Sequence, residues 1–233
     1  MSEGSSQRTV LVTGANRGIG LGLVRHYLEA GWRVIAAVRK PDEASELAGL
    51  GDGLRVLGLD LGEDESIVAL GDELKRADES LDLLFHNAGI SRNEAFGEWT
   101  SGAFDRNFRI HVTGPALLTQ ALFPMLNHGA KVVSLSSGRA SMEWNQSPED
   151  PLDAYGVSKA AMNMMTCRLA AKLKESGVAM VAISPGWVRT RMGGPEASSS
   201  VEEAVSKMAA VVSGLTIDQA GAFLSEEGEA IPW

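Results

Sequence analysis

Thr9-Val10-Leu11-Val12-Thr13-Gly14-Ala15-Asn16-Arg17-Gly18-Ile19-Gly20 is the stretch on which the fold turns. A short β-branched, apolar run breaks into a glycine-rich turn, and a helical pattern through Leu21, Leu23, Val24, Tyr27 and Leu28 follows at once. Glycine at 14, 18 and 20 lets backbone approach a ligand where a Cβ would clash. The helix beyond directs its unpaired N–H groups and positive dipole end at the loop, which suits a phosphate or pyrophosphate. A plain strand-to-helix turn would rarely need three glycines at this spacing. The loop by itself specifies a phosphate and not a reaction.

Outward from that loop, strand-like runs and helical patterns alternate to the end of the chain. Helix Ile19–Ala30 leads to a strand at Arg33–Val38 and a polar helical stretch from Pro41 to about Leu50. Leu54–Leu59 reads as the third strand, Glu63–Asp78 as a charged helix, and Leu81–His86 as the fourth strand. A long helix is expected over 101–126, the fifth strand over Lys131–Ser136, a second long helix over 154–176, and the sixth strand over Ala179–Ser184. A helix near Val201–Val212 and a short strand near Gly221–Leu224 complete the pattern. Such alternation indicates βαβ units with right-handed crossovers, hence an α/β, doubly wound parallel sheet of about seven strands flanked by helices. No repeat or linker divides it, so 9–233 reads as a single domain behind a polar tail, 1–8. Ligands in such folds sit beyond the carboxyl ends of the strands.

The bulk properties exclude several classes of function. The 233 residues carry a formal charge of −9, which argues against a nucleic-acid partner. Cys167 is the only cysteine, so no internal disulfide and no cysteine metal cluster is expected, and no metal site is read. The tail Met1–Arg8 is polar with no apolar signal region, and no run approaches the ~18 apolar residues of a membrane span. A cytoplasmic protein without a membrane partner is the expectation.

Taken together, the motifs resemble the short-chain dehydrogenase/reductase family over essentially the whole chain. The resemblance rests on Thr13-Gly14-Ala15-Asn16-Arg17-Gly18-Ile19-Gly20, Asn87-Ala88-Gly89, Ser136-Ser137, Tyr155-Gly156-Val157-Ser158-Lys159 and Pro185-Gly186-Trp187-Val188-Arg189-Thr190, in that order. The tail Gly221-Ala222-Phe223-Leu224 and Gly228-Glu229-Ala230-Ile231-Pro232-Trp233 is similar to the compact C-factor-like branch. The resemblance implies a Rossmann fold that binds NAD or NADP. An acid about 20 residues beyond the glycine loop would select NAD. That place holds Val38, followed by Arg39 and Lys40. Arg39 offers bidentate recognition of a 2′-phosphate, and Arg17 could close on it from the other side. NADP (NADPH) is therefore the expected cofactor and NAD the less favoured one; the alternative leaves Arg39 and Lys40 as solvated loop charges. By the same resemblance Asp60 and Leu61 meet the adenine, and Asn87, Ala88 and Gly89 line the riboses. Pro185, Gly186, Val188 and Thr190 border the nicotinamide, with Val188 and Thr190 holding its carboxamide. The Asn87 amide could instead tie neighbouring strand ends together.

Tyr155 and Lys159 are four apart on a helix and share one face. An ammonium beside a phenol favours the phenolate and brings its pKa towards the working range. Ser137 is expected to stabilise charge on a substrate oxygen, with Ser136 its rival. Hydride would pass between nicotinamide and carbonyl carbon while Tyr155 exchanges the oxygen's proton. His111 stands where the family usually carries an asparagine that holds a relay water. Histidine there is either a relay member or a satisfied ring filling the helix kink. Ile90, Phe96, Met142, Trp144, Trp187 and Met192 are expected to line a rather open, apolar substrate pocket. The two long helices, 101–126 and 154–176, are the family's usual subunit contact, which implies a homodimer or homotetramer. An NADP-dependent carbonyl reductase or alcohol dehydrogenase is the leading reading. The alternative is a catalytically weak dinucleotide-binding signalling or regulatory protein on the same fold.

Overall fold

Among the described residues seven strands form one sheet, whose central members are short, mostly apolar runs buried on both faces. The computed structural model describes residues 7–92 and 94–233; most of the polar tail, 1–6, lies outside them. The strands are β1 (Thr9–Thr13), β2 (Arg33–Val38), β3 (Leu54–Gly58), β4 (Leu81–His86), β5 (Leu126–Leu135), β6 (Ala179–Ile183) and β7 (Phe223–Leu224). Their order is β3-β2-β1-β4-β5-β6-β7, and every pairing is parallel. The helices are α1 (Gly18–Glu29), α2 (Asp64–Arg76), α3 (Ser101–Phe108), α4 (Gly114–Leu122), α5 (Asp153–Leu173) and α6 (Val201–Gly214). Leu23, Val24 and Tyr27 of α1 join Met208 and Val212 of α6 over one face of the sheet. Leu70 and Leu74 of α2, Leu118 and Leu122 of α4 and Leu173 of α5 cover the other. The strand order reverses between β1 and β4, which opens a crevice at their carboxyl ends.

Two expected helices differ. The polar stretch from Pro41 to Leu50 forms only two single 3-10 turns, Pro41–Glu43 and Ser45–Leu47. Leu47 is its one deeply buried long side chain, and Gly49 at φ 76° ends any helical progress. The long helix over 101–126 is broken by a π-helical turn, Arg109–Thr113, and closes in a 3-10 turn, Phe123–Met125. Pro115 in the first turn of α4 has no N–H to continue the ladder, and the Gly114 N–H reaches back to Arg109 O. Strand β5 begins five residues earlier than Lys131, beyond a register shift opposite Leu81 and Leu83.

Candidate active site

The glycine loop is built by close approach. A Cβ on Gly20 would stand 2.3 Å from Gly14 O and 2.5 Å from Asn87 Nδ2. Gly14 itself has φ 66°, and a Cβ there would lie 2.9 Å from Ala88 Cα. Thr13 and Asn87 lock the two strand ends: Asn87 and Ala88 donate backbone N–H groups to Thr13 Oγ1 at 3.1 and 3.0 Å, and the Asn87 amide donates to Thr13 O at 2.8 Å. The Asn87 amide is thus a tie between β1 and β4, as its structural alternative has it. At the start of α1, Arg17 holds the N-cap position with no side-chain capping bond, and the first turn has no acid. Uncapped N–H groups at a helix start, beside backbone that tolerates no Cβ, fit a dinucleotide pyrophosphate.

Arg17, Arg39 and Arg191 surround this loop as exposed side chains without an ion-pair partner among the described residues. The pKa of Arg17 is lowered, first by partial burial, then by the charge of Arg191, then by that of Arg39. Two further guanidinium groups close enough to act on Arg17, in a chain of net charge −9, make a site that an anion would relieve. The sequence reading missed Arg191, whose only signal is its place beside Thr190. Thr190 Cγ2 would lie 3.4 Å from a Cβ on Gly18, so the chain after β6 touches the glycine loop itself. The Thr190 hydroxyl accepts the Gly193 N–H at 3.1 Å, and Val188 is buried in a bridge to Ser199. Pro185 is buried and Gly186 takes φ 75°, turning the chain out of β6. Asp60 Oδ1 accepts from Gly62 N at 2.8 Å, whereas the Leu61 side chain belongs to the core and presses on Gly114. Asn16 and Ile19 are half-buried at the loop's edge.

At the carboxyl end of β5 the pleat separates the two serines. The Ser136 hydroxyl is buried and donates to Asn163 Oδ1 at 2.7 Å, so α5 packing consumes it. The Ser137 hydroxyl accepts the Arg139 N–H at 3.3 Å and interacts with the Tyr155 phenol. Lys159 is buried one turn along α5, its Nζ donating to Leu135 O at 2.6 Å and lying 5.7 Å from the Tyr155 ring centre. Burial lowers the Lys159 pKa to about 7. Burial also raises that of Tyr155, outweighing Ser137 and the Arg139 charge, which both favour the phenolate. Desolvation therefore governs the phenol, whose pKa is raised.

His111 sits in the π-turn with both ring nitrogens occupied. Ile90 N–H donates to Nε2 at 3.1 Å, which makes Nδ1 the protonated nitrogen, 2.8 Å from Ser158 Oγ. Ser158 in turn donates to Tyr155 O at 2.7 Å. Burial, with the Lys159 charge second, pushes the His111 pKa down to about 2. The ring meets Tyr155 edge-on at 5.6 Å, and Gly89 leaves it room, since a Cβ there would lie 3.2 Å from Nε2.

Of the expected pocket residues, Ile90 is half-buried, and Phe96, Met142, Trp144, Trp187 and Met192 are exposed. Two have structural ties: Phe96 meets Trp99 edge-on at 5.1 Å, and the Trp187 indole donates to Gly193 O at 2.7 Å. The loop between Ser137 and Tyr155 holds two of the three described non-glycine residues with positive φ. Asn145 and Ser147 take φ 41° and 48°; asparagine visits this left-handed region, whereas for Ser147 it costs about 1–2 kcal/mol. A cavity of about 190 Å³ lined by Met142, Gln146, Leu152 and Val157 opens beside this loop; neither Ser137 nor Tyr155 lines it.

A family model for short chain dehydrogenase matches residues 8–200. The chain belongs to that family. This short chain dehydrogenase is 35% identical over 156 residues to C-signal of Myxococcus xanthus, covering 66% of this chain and 93% of that relative. It is 31% identical over 229 residues to the 1-hydroxy-2-glutathionyl-2-methyl-3-butene dehydrogenase of Rhodococcus sp. strain AD45, covering 97% and 99% of the two chains. Its fold is similar to that of an NADPH-bound carbonyl reductase from chicken fatty liver, with TM-score 0.89, 34% identity, and 97% and 99% of the chains covered. No helix among the described residues is long and apolar enough to cross a membrane.

Proposed function

We propose that this short chain dehydrogenase transfers hydride between NADP(H) and a carbonyl or secondary alcohol, with Tyr155 as general acid in reduction and general base in oxidation. The observation that carries the reading is the meeting of the Ser137 hydroxyl, the Tyr155 phenol and the buried Lys159 ammonium at the crevice beside the glycine loop. When bound, the nicotinamide supplies or accepts the hydride. Ser137 holds the substrate oxygen, and the phenol, with its pKa raised, carries a proton at neutral pH ready for that oxygen. A protonated Lys159 then favours the phenolate left behind. The three unpaired arginines support NADP over NAD, and the NADPH bound to the chicken carbonyl reductase is in keeping with this. With both nitrogens engaged, His111 reads as a positioning residue that holds Ile90 and, through Ser158, the first turn of α5.

Fluorescence titration with NADPH and NADH, followed by a carbonyl panel, tests the reading. Arg39→Ala should weaken NADPH by about tenfold or more, the worth of a hydrogen bond to a charged group, and leave NADH within about twofold. Tyr155→Phe should lower turnover by about 10²–10⁴-fold with NADPH affinity retained. Equal rates in wild type and Tyr155→Phe would refute the catalytic assignment. The likeness to C-signal favours one second reading, a dinucleotide-binding signalling protein, for which NADPH would bind without turnover of any carbonyl.

A further inference from the structure

The turn between β3 and α2 is pinned to the π-turn at both ends of the latter, by Arg109 and by Gly114. Arg109 opens the π-turn, and its half-buried guanidinium donates from Nε to Gly62 O at 3.1 Å and from Nη2 to the Asp64 carboxylate. Two bonds from one planar group fix its direction as well as its distance. At the far end, Gly114 lies so close to the turn that a Cβ on it would stand 2.8 Å from Leu61 O. The 60–64 segment is itself gathered on Asp60. Gly62 N–H donates to Asp60 Oδ1 at 2.8 Å, Glu63 N–H to Asp60 O at 3.1 Å, and Asp60 N–H to Ser66 Oγ at 2.8 Å.

From the π-turn a chain of bonds leads on to the catalytic helix. His111 follows Arg109 in the same turn; its Nε2 accepts the Ile90 N–H, and its Nδ1 meets Ser158, whose hydroxyl donates to Tyr155 O. π-helical turns are rare and gather at functional sites, so contacts from outside the helix bear on where this one places its side chains. Arg109 therefore joins the segment expected to meet the adenine to the ring that sets Ile90 and the first turn of α5. A ligand that orders one of two joined segments lowers the entropic cost of ordering the other.

We propose that Arg109 is a positioning residue that couples the two halves of the crevice. Binding of the adenosine half of the dinucleotide at Asp60 orders the 60–64 segment, and Arg109 passes that order to the π-turn, to Ile90 and to the Tyr155 end of α5. Cofactor held at one end of the crevice thereby steadies the acid/base at the other before substrate arrives. Arg109 itself touches neither dinucleotide nor substrate; it acts through Gly62, Asp64 and His111. The inference rests on the NADP(H) reading above.

The test is hydrogen exchange of the Ile90 amide, followed by NMR with and without saturating 2′,5′-ADP, in wild type, Arg109→Leu and Asp64→Asn. This ligand carries the adenosine and the 2′-phosphate but no nicotinamide. The buried Ala182 amide, which donates to Ala222 O in the sheet, is the reference, so that general stabilisation by a ligand cancels. In wild type the ligand should slow Ile90 exchange about tenfold relative to Ala182, and in Arg109→Leu by less than about twofold. Asp64 is 65% exposed, so Asp64→Asn decides the question where Arg109→Leu is unstable; its protection should fall about threefold. At saturating NADPH, kcat should fall about tenfold or more in Arg109→Leu. A merely structural tie would speed Ile90 exchange equally with and without ligand; ratios as in wild type would overturn the coupling. A kcat within about twofold of wild type would overturn the positioning role. Failure of 2′,5′-ADP to bind wild type would overturn the NADP(H) reading and the inference with it, whereas binding without a change at Ile90 would overturn the inference alone.

Discussion

A buried imidazole with two fixed partners is chemically different from one in a water channel, and His111 is of the first kind. Its Nε2 must accept from Ile90 N–H, so its proton stays on Nδ1 towards Ser158. Burial first, and the Lys159 charge second, hold its pKa near 2, because protonation would bring an uncompensated charge into the core. It therefore stays neutral across the working range. His111→Asn should leave the shape of the reductive pH–rate profile between about pH 6 and 9 as in wild type, because no titration there is removed. The shorter amide cannot span both partners and should lower stability by about 1–3 kcal/mol in urea unfolding. A lost or displaced limb near pH 6.5 would show that the ring relays protons after all. Neither outcome is legible from His111-Val112-Thr113-Gly114 alone, where histidine reads equally as relay and as filler. The partners come from residues 21 positions before it and 47 after it.

At the level of elements, α5 has more apolar surface than its own core needs. Met162, Ala170 and Leu173 are buried, and so are Ser158, Lys159, Asn163 and Thr166 on the catalytic side. Val157 and Met164, seven positions and thus two turns apart, remain 51% and 64% exposed on another face. Such a stripe on the longest helix suits a symmetric contact with a second copy, in keeping with the dimer or tetramer expected through this helix. Size-exclusion with light scattering at micromolar protein should give a multiple of the 24.7 kDa chain mass, and Met164→Glu should shift it towards one chain. A one-chain mass for the unmodified protein would defeat the expectation. The apolar positions of α5 are visible in sequence, but their division between core and surface is not. That division depends on where the sheet and α3 lie against the helix.

Over the whole molecule, buried neutral histidines couple stability to pH. Burial holds His86 near pKa 4 and His111 near 2, both from 6.5. Below about pH 6.5 the unfolded chain binds protons at these positions and the folded chain does not, so stability must fall as pH falls. The slope is about 1.4 kcal/mol per pH unit for each histidine, ending for His86 near pH 4 and for His111 near pH 2. In urea unfolding from pH 7.5 to 5, the stability advantage of wild type over His86→Gln should shrink at about that slope below pH 6.5. Parallel stability curves would mean that His86 titrates normally in the folded protein.

What the sequence by itself determined is the architecture and the chemical parts. Seven apolar runs, glycines at 14, 18 and 20, and a tyrosine four residues before a lysine are local patterns. Local patterns set periodicity, allowed torsions and the face of a helix, and these suffice for a parallel sheet of about seven strands with its site beyond the strands' carboxyl ends. Only the tertiary structure decided the rest. The pleat turned Ser136 into α5 and left Ser137 for the phenol. The chain after β6 brought Arg191 to Arg17, and burial moved the pKa values of Tyr155 and Lys159. Each of these is a contact or a desolvation between segments far apart in the chain, and its energy exists only once the fold has closed around it.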